Sequence, residues 1–534
     1  MSSSNRLKRT ADQRPWSTGT KSSITLQPLV LALCVLGFGV LAVMLGQTNS
    51  WDLRNYHLYD GWAFWTGRGT RDFAAAQAQS YFNPLLATFT YLLFTHTPPW
   101  VSTFLLGTAQ GTNVLPLYIL ARRLLPASVQ SRGPWFALLV ALVGAVGATQ
   151  LGELGGSLGD NLVSLPVLCA FVLVLGTPSL DLYRAIGAGL LTGIAAGIKL
   201  TVAPFALGLL LAILLLVWDR AQCWRIVVAA ATATVLGFLA ADGFWLLRLH
   251  SEFGNPLHPL FASLFGGELA PPMSIRDERS IPQTLPEWLF YPLLWLKSPR
   301  RVSEHWFRDL RLPLAFLAAP ILLWRSCDPR VRALTLASSL TYLAWLPLFG
   351  IYRYLAPLEM LSPLLVVLAL GTLTQHYLRL LAGTLLVVIV VLVRPPHWGR
   401  LSAYGTTFLK TDIPALPGLD HSIVVLVDNE PLAFLALGFP PTARFIRIGG
   451  NLLGPPYPIY GMDREAARHI ASAEGPIYAL LVDRQSALVH EVLARQRLTL
   501  NSPCAPVLSN LLPEHVRAEL CPLQRTAMPS WQQP

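Results

Sequence analysis

The chain has 534 residues, 53% of them hydrophobic and only 13% charged, with a mean hydropathy of +0.48. An ordinary soluble domain carries roughly a quarter charged residues, so this balance excludes intrinsic disorder, a secreted disulfide scaffold and a soluble enzyme on a single anchor, and leaves a polytopic membrane protein. The formal net charge of +11 does not point to nucleic acid, because the basic residues fall in short clusters between apolar runs, as loops facing a cytoplasm do.

The first apolar run, 24–46, is far longer than the roughly 7–15 residues of a signal-peptide core and has no small-x-small cleavage site after it, so it reads as a retained helix. Arg6, Lys8, Arg9, Arg14 and Lys21 precede it, which predicts a cytoplasmic tail over residues 1–23 and an outer segment starting at Trp51. Further spans are predicted at 100–121, 134–151, 161–175, 185–199, 202–218, 226–245, 312–324, 333–349, 354–373 and 380–393, about eleven in all. The apolar stretch 81–94 is short, opens at Asn83-Pro84 and closes before Pro98-Pro99; it suits a helix lying at the interface. That choice places Arg122, Arg123, Arg132, Arg184, Arg220, Arg225, Arg325, Arg330 and Arg332 in cytoplasmic loops, as the positive-inside bias requires.

The same parity gathers four polar features on the outer side: the loops 47–99, 152–160 and 246–311, and everything after residue 394. Residues 395–534 alternate strands (423–427, 444–448, 477–482) with helices (464–473, 486–497) and read as a small extracytoplasmic α/β domain. The predicted fold class is thus a polytopic α-helical membrane module over 24–394 carrying a C-terminal α/β domain. Cys504 and Cys521 lie in that domain, where an oxidising compartment lets them pair, two free thiols being the alternative. Cys34, Cys169, Cys223 and Cys327 need no role beyond that of small apolar side chains.

The segment after the first span is the most informative: Trp51-Asp52-Leu53-Arg54-Asn55-Tyr56-His57, then Tyr59, Asp60, Gly61 and Trp62, then Phe82-Asn83-Pro84. A carboxylate held at a membrane edge among aromatic rings loses hydration, which predicts for Asp52 a pKa raised towards the range useful for a general base; an ordinary aspartate in an aromatic belt is the alternative. Asp60 and Asp72 read as solvated or paired with Arg68 and Arg71. Three more stretches stand out. Glu153 to Asp160 and Asn161 form a Gly-rich turn before a span, Gly193 to Lys199 is a small-residue helix ending in a lone lysine, and Tyr352-Arg353-Tyr354 with Pro357 opens a span. Asp160 orients an acceptor, holds a divalent cation beside Asp52, or caps the following helix. Lys199 meets a lipid phosphate or snorkels, and Arg353 can hold a phosphate through two parallel hydrogen bonds.

Taken together these stretches, with Trp245-Leu-Leu-Arg248-Leu-His250 and Gly254-Asn255-Pro256, resemble the GT-C superfamily of polyprenyl-phosphate-sugar-dependent membrane glycosyltransferases, which includes the aminoarabinose transferases and protein mannosyltransferases. The resemblance implies Asp52 as the catalytic carboxylate, helped by Asp160. It also implies Lys199, Arg353 and Arg54 as phosphate ligands, and Tyr56, His57, Trp245, Arg248, His250 and Tyr352 as substrate-pocket residues. Aminoarabinose transferases carry Lys-Pro-Pro where this chain has Asn83-Pro84, so phosphate binding falls to the other three cations. The implied reaction is inverting transfer of a sugar from a polyprenyl phosphate donor to a hydroxyl of a glycan, lipid or protein acceptor, on the outer face of a bacterial inner membrane. It requires no cofactor, a divalent cation at Asp52 and Asp160 remaining open, and no Gly-rich phosphate loop is present. The rival classes are a lipid-linked sugar flippase or transporter, and a non-catalytic assembly protein on the same fold.

Overall fold

The structure, a computed structural model, describes residues 27–127, 134–273, 275–374 and 376–526. The N-terminal cations and Arg132 lie outside the described residues. Each predicted span is mainly helical over its described part, those at 100–121 and 134–151 being interrupted at Thr112-Asn113 and Val146-Gly147. Five helices are long and apolar enough to cross a membrane: Gln27–Leu45, Pro99–Leu124, Leu200–Val217, Cys223–Phe253 and Tyr352–Leu373. Trp135–Ala145, Asp160–Leu175, Leu182–Ile198 and Leu378–Leu392 are shorter apolar helices beside them. The chain is a polytopic α-helical membrane protein with a C-terminal sheet domain.

Small residues set how closely these helices approach. On Leu182–Ile198, Gly189, Gly193 and Gly197 recur every fourth position, and a Cβ on each would run into Ala230 O, Thr234 O and Phe238 O of the facing helix Cys223–Phe253. Gly237 answers from the other side against Leu190 O. Without a hydrophobic force between helices in lipid, such backbone contact is what holds a pair together. The pair's register fixes the end of the first helix, where Ile198 gives way to Lys199 in extended backbone (φ −145°, ψ 106°).

The span predicted at 134–151 is two helices, Trp135–Ala145 and Ala148–Glu153, broken at Val146-Gly147. The exposed backbone groups of the break are met by buried charge. Arg311 donates to Val143 O (2.7 Å) and Val146 O (3.1 Å) and pairs with Asp309 at 2.6 Å, while Asp309 accepts from Ala148 N at 2.8 Å. Glu359 accepts from Thr149 N at 3.3 Å. Cationic nitrogen on orphan carbonyls and carboxylate on orphan amides is the arrangement helix ends require. It aims the turn 154–159 at the outer loop.

The loop predicted to start at residue 246 starts later, because Cys223–Phe253 continues for two more turns and stops at Gly254 (φ 69°). The backbone there is left-handed, which glycine adopts without penalty. The stretch predicted at 81–94 folds as Leu85–His96, its first amide bonded to Asn83 Oδ1 at 2.9 Å.

The C-terminal sheet has the spatial order 411–412, 505–509, 518–525, 477–481, 423–426, 444–447, with 498–500 also on 518–525. Ile423–Leu426 lies parallel to both Arg444–Arg447 and Ile477–Leu481. These three strands are nearly all buried, as parallel strands covered on both faces are, and they and the helices Gly461–Ala471 and Ala487–Arg495 match the predicted alternation. The antiparallel half was not predicted: Pro503, Pro506, Pro513 and Pro522 interrupt its pattern. Cys504 and Cys521 are joined by a disulfide across neighbouring strands of that half.

Two seams join the sheet domain to the membrane part. Gln47–Thr48, just after the first helix, pairs antiparallel with Arg400–Leu401. Phe73 forms a parallel bridge with Ile446, extending the sheet at its 444–447 edge. Around that bridge Arg68 pairs with Asp72 at 2.7 Å and donates to Pro441 O at 2.7 Å, and Arg447 donates to Ala75 O at 2.8 Å.

Candidate functional site

Asp52 follows the first helix and begins a five-residue π-helical turn, Leu53–His57, in which Leu58 N reaches back to Leu53 O. One extra residue per turn changes which side chains share a face, and such turns recur at functional sites. Here it puts His57 close to Asp52. His57 Nδ1 lies 2.8 Å from Ser157 Oγ of the Gly-rich turn, so the loop after the first helix and the 154–159 turn meet at this residue.

Four charged side chains from four distant segments assemble beside it. Arg353 Nη1 donates to Asp52 Oδ2 at 2.8 Å, and Lys199 Nζ lies 2.7 Å from Asp160 Oδ1 and donates to Leu158 O at 2.8 Å. Tyr354 lies between the pairs, its ring centre 5.6 Å from Lys199 Nζ and 5.2 Å from Arg353 Cζ; Trp398 of the segment leading to the sheet domain lies 5.2 Å from Arg353 Cζ. Arg353 has a second, more exposed partner in Glu304, 3.7 Å away. Arg353 Nε and Asp160 Oδ2 are buried without a protein hydrogen bond.

The electrostatics correct one expectation. Burial pushes the Asp52 carboxyl up, but the charge of Arg353, the influence of His57 and the hydrogen bond from Arg353 outweigh it, so its pKa lies below the ordinary value. Pairing overrides desolvation, and Asp52 is an ionised acceptor at neutral pH. Burial lowers His57 to about 3, which leaves its ring neutral. Glu153 behaves in the opposite sense. Burial and then the charge of Asp160 hold its carboxyl well above the usual range, so it keeps a proton. Glu153 Oε2 also accepts from Asn161 N at 3.3 Å. The helix starts at Asp160 with Gly159 (φ 89°) as its cap residue; Glu153, not Asp160, meets that helix start.

Of the predicted site residues, Asp52, His57, Asp160, Lys199 and Arg353 come together, with Tyr56 against His57 at 4.1 Å between ring centres. Others do not. Arg54 faces Glu430 of the sheet domain. Tyr352 packs against Trp295 and Phe307, on the side of Asp309 and Glu359. His250 is exposed on the long helix. Trp245 and Arg248 line a separate cavity with Asp60. Asp60 is neither solvated nor paired with Arg68 or Arg71, being 7% exposed, while Asp72 is taken by Arg68. Asn83, at the place of the family lysine, donates to Gly197 O (3.0 Å), Ala241 O (2.9 Å) and Asp242 Oδ1 (2.8 Å). It ties the outer loop to the glycine-packed helix pair just before Lys199. Sequence reasoning gave no role to Ser157, Glu304, Tyr354 or Trp398; Ser157 and Tyr354 lie inside stretches it singled out, while Glu304 and Trp398 carry no motif.

The donor set does not suit a divalent cation at Asp52 and Asp160, since each carboxylate already faces a cation within 2.8 Å. Among the described residues the one cluster with metal-ligand spacing is Cys504, Glu519 and Cys521, and its sulfurs form the disulfide.

No protein-family model matches the chain, and no curated protein matches it. Among solved structures, it is similar to the crystal structure of ArnT from Cupriavidus metallidurans bound to undecaprenyl phosphate, at 15% sequence identity and a TM-score of 0.43. The match covers 68% of this chain and 64%, less than two thirds, of that one. A likeness of that extent assigns no chemistry, which rests on the side chains themselves.

Proposed function

We propose that the chain is a membrane glycosyltransferase that moves a sugar from a polyprenyl phosphate to an acceptor hydroxyl, at the outer face of a bacterial inner membrane. The observation that carries this reading is the convergence of Asp52, Asp160, Lys199 and Arg353 into one cluster at the end of the first helix. Lys199 and the free side of Arg353 bind the donor phosphate. As the acceptor oxygen bonds to the anomeric carbon from the opposite face, the bond from that carbon to the phosphate oxygen breaks and its electrons stay on the phosphate, whose charge the two cations stabilise. Asp52, ionised and partly desolvated, takes the hydroxyl proton. Asp160 holds Lys199 in place, and Glu153 orients Asp160.

The reaction needs a carboxylate that is ionised yet releasable. Arg353 supplies the first property, and an arriving phosphate that draws the guanidinium supplies the second. Reconstituted protein given radiolabelled polyprenyl phosphate sugars should form a glycosylated product. Asp52→Asn, which keeps size and removes the base, should bind donor normally and lose roughly 10²–10⁴-fold in transfer. Near-normal transfer by a stably folded Asp52→Asn protein would overturn the assignment, and translocation of donor without product would identify a flippase.

A further inference from the structure

A second polar site lies on the other side of the short helix that follows the π-helical turn. Asp60, in Leu58–Trp65, is 7% exposed, and among the described residues nothing donates a hydrogen bond to its carboxyl or pairs with it. It borders a partly open cavity of about 50 Å³ whose walls include Tyr59, Phe64, Ser80, Trp245 and Arg248. An acid left this way is costly to bury without a partner, and burial alone holds it well above the usual carboxylate range. The other acid of the cavity, Asp72, is fully committed to Arg68 and Tyr59.

The opposite wall is built with equal care. Arg248 packs over Trp245 with its Cζ 4.7 Å from the ring centre, held there by Glu252 at 2.9 Å. Trp245 is fixed by its indole N–H on Tyr81 O at 2.9 Å, and Phe64 packs edge-on against it at 6.2 Å. Arg248 also lies against Gly69, where any Cβ would strike the guanidinium. The cavity thus presents one unused carboxyl, one guanidinium with free N–H groups and aromatic edges, in a space that holds a few water-sized groups. Two cations nearby, Arg68 and Arg248, make it unsuitable for a metal ion. A hydroxyl both donates and accepts, so sugar hydroxyls can satisfy the Asp60 carboxyl and the Arg248 guanidinium, while the C–H edge of a sugar ring suits the aromatic wall.

We propose that this cavity is a carbohydrate subsite whose Asp60 and Arg248 hold hydroxyls of a sugar residue seated at its open side. The site stands on its own geometry; its service as the docking place of the acceptor rests on the transferase reading above. The sugar can belong to a soluble glycan or to a glycolipid headgroup, and two arms separate these sources. Full-length protein in detergent is titrated with methyl α-D-glucopyranoside, mannopyranoside and galactopyranoside by saturation-transfer NMR, and protein in nanodiscs is titrated with diglucosyl diacylglycerol. At least one probe should bind saturably. Its affinity should fall about tenfold or more in Asp60→Leu and about threefold or more in Asp60→Asn, which guards against misfolding of the first variant, while Asp52→Asn retains it. Binding in the nanodisc arm alone assigns the site to a lipid headgroup. Absence of saturable binding by all probes, or affinity unchanged in both Asp60 variants, overturns the proposal. Protein that transfers sugar but binds none of the probes refutes the subsite and leaves the transferase standing; protein that binds through Asp60 but transfers nothing does the reverse.

Discussion

Asp52 is a carboxylate whose charge is held by its neighbour Arg353, and His57 beside it is a neutral ring in a place where water would let it charge. Both shifts have a sign that can be measured. The Asp52 pKa is lower in the folded than in the unfolded chain, so its ion pair stabilises the fold above the unfolded value near 3.9 and is lost as pH falls through the lower folded value. His57 is held at about 3 against 6.5. The unfolded chain therefore takes up a proton first, and stability falls between pH 6.5 and 3 by about 1.4 kcal/mol per unit. His57→Gln should remove most of that slope, read as the difference in unfolding midpoint between pH 7.5 and pH 5; an unchanged slope would show that His57 is solvated. At this scale much of the site was legible. Asp52, Asp160, Lys199 and Arg353 are legible because their stretches resemble those of the GT-C superfamily, and because charge at the end of an apolar helix is costly and so invites a reason. What could not be read was pairing, because residues 52 and 353 meet only in three dimensions, and that pairing reverses the direction of the Asp52 shift.

The helix Leu182–Ile198 shows how an element serves a residue. Its glycine row sets an axial distance, and the distance sets where Lys199 leaves the helix. Gly193→Val pushes a branched side chain into Thr234 O and should destabilise the protein by about 1–3 kcal/mol, the cost of overpacking. It should also weaken donor binding. Gly243→Ala, whose added carbon meets only ordinary contact at 3.7 Å, is the control, and equal unfolding temperatures for the two would count against the close-packed pair. The spacing of these glycines was visible as a small-residue helix. The π-helical turn at Leu53–His57 was not, since one inserted residue leaves no mark on a 3.6-residue period. Arg248 was misplaced for a related reason: the polar residues after Trp245 read as a loop, yet the helix carries them to Phe253 because Trp245 and Leu249 keep one face buried.

For the molecule as a whole, the sheet domain is part of the site's construction. Its parallel half was legible from runs of apolar residues, and its antiparallel half was hidden because Pro506 and Pro522 lie within paired strands, where a proline ordinarily argues against one. The disulfide of that half closes a loop of 17 residues, for which loop closure gives about 3 kcal/mol. The double variant Cys504→Ser, Cys521→Ser should lower the unfolding midpoint of the outer domain while leaving detergent-resistant helical signal in place, and loss of both together would mean that the two parts unfold as one. The seam between Gln47–Thr48 and Arg400–Leu401, with the bridge from Phe73 to Ile446, has a bearing on how the protein is made. A ribosome delivers residue 52 early, but the backbone that clasps the segment around it is synthesised hundreds of residues later. Until then the nascent first loop should lack the strand partners it has in the finished fold, Arg400–Leu401 and Ile446. Chains stalled before residue 400 should therefore show a protease-sensitive cut within residues 66–80 that the full-length protein resists, so that the charged cluster around Asp52 is completed only when its own last domain has folded.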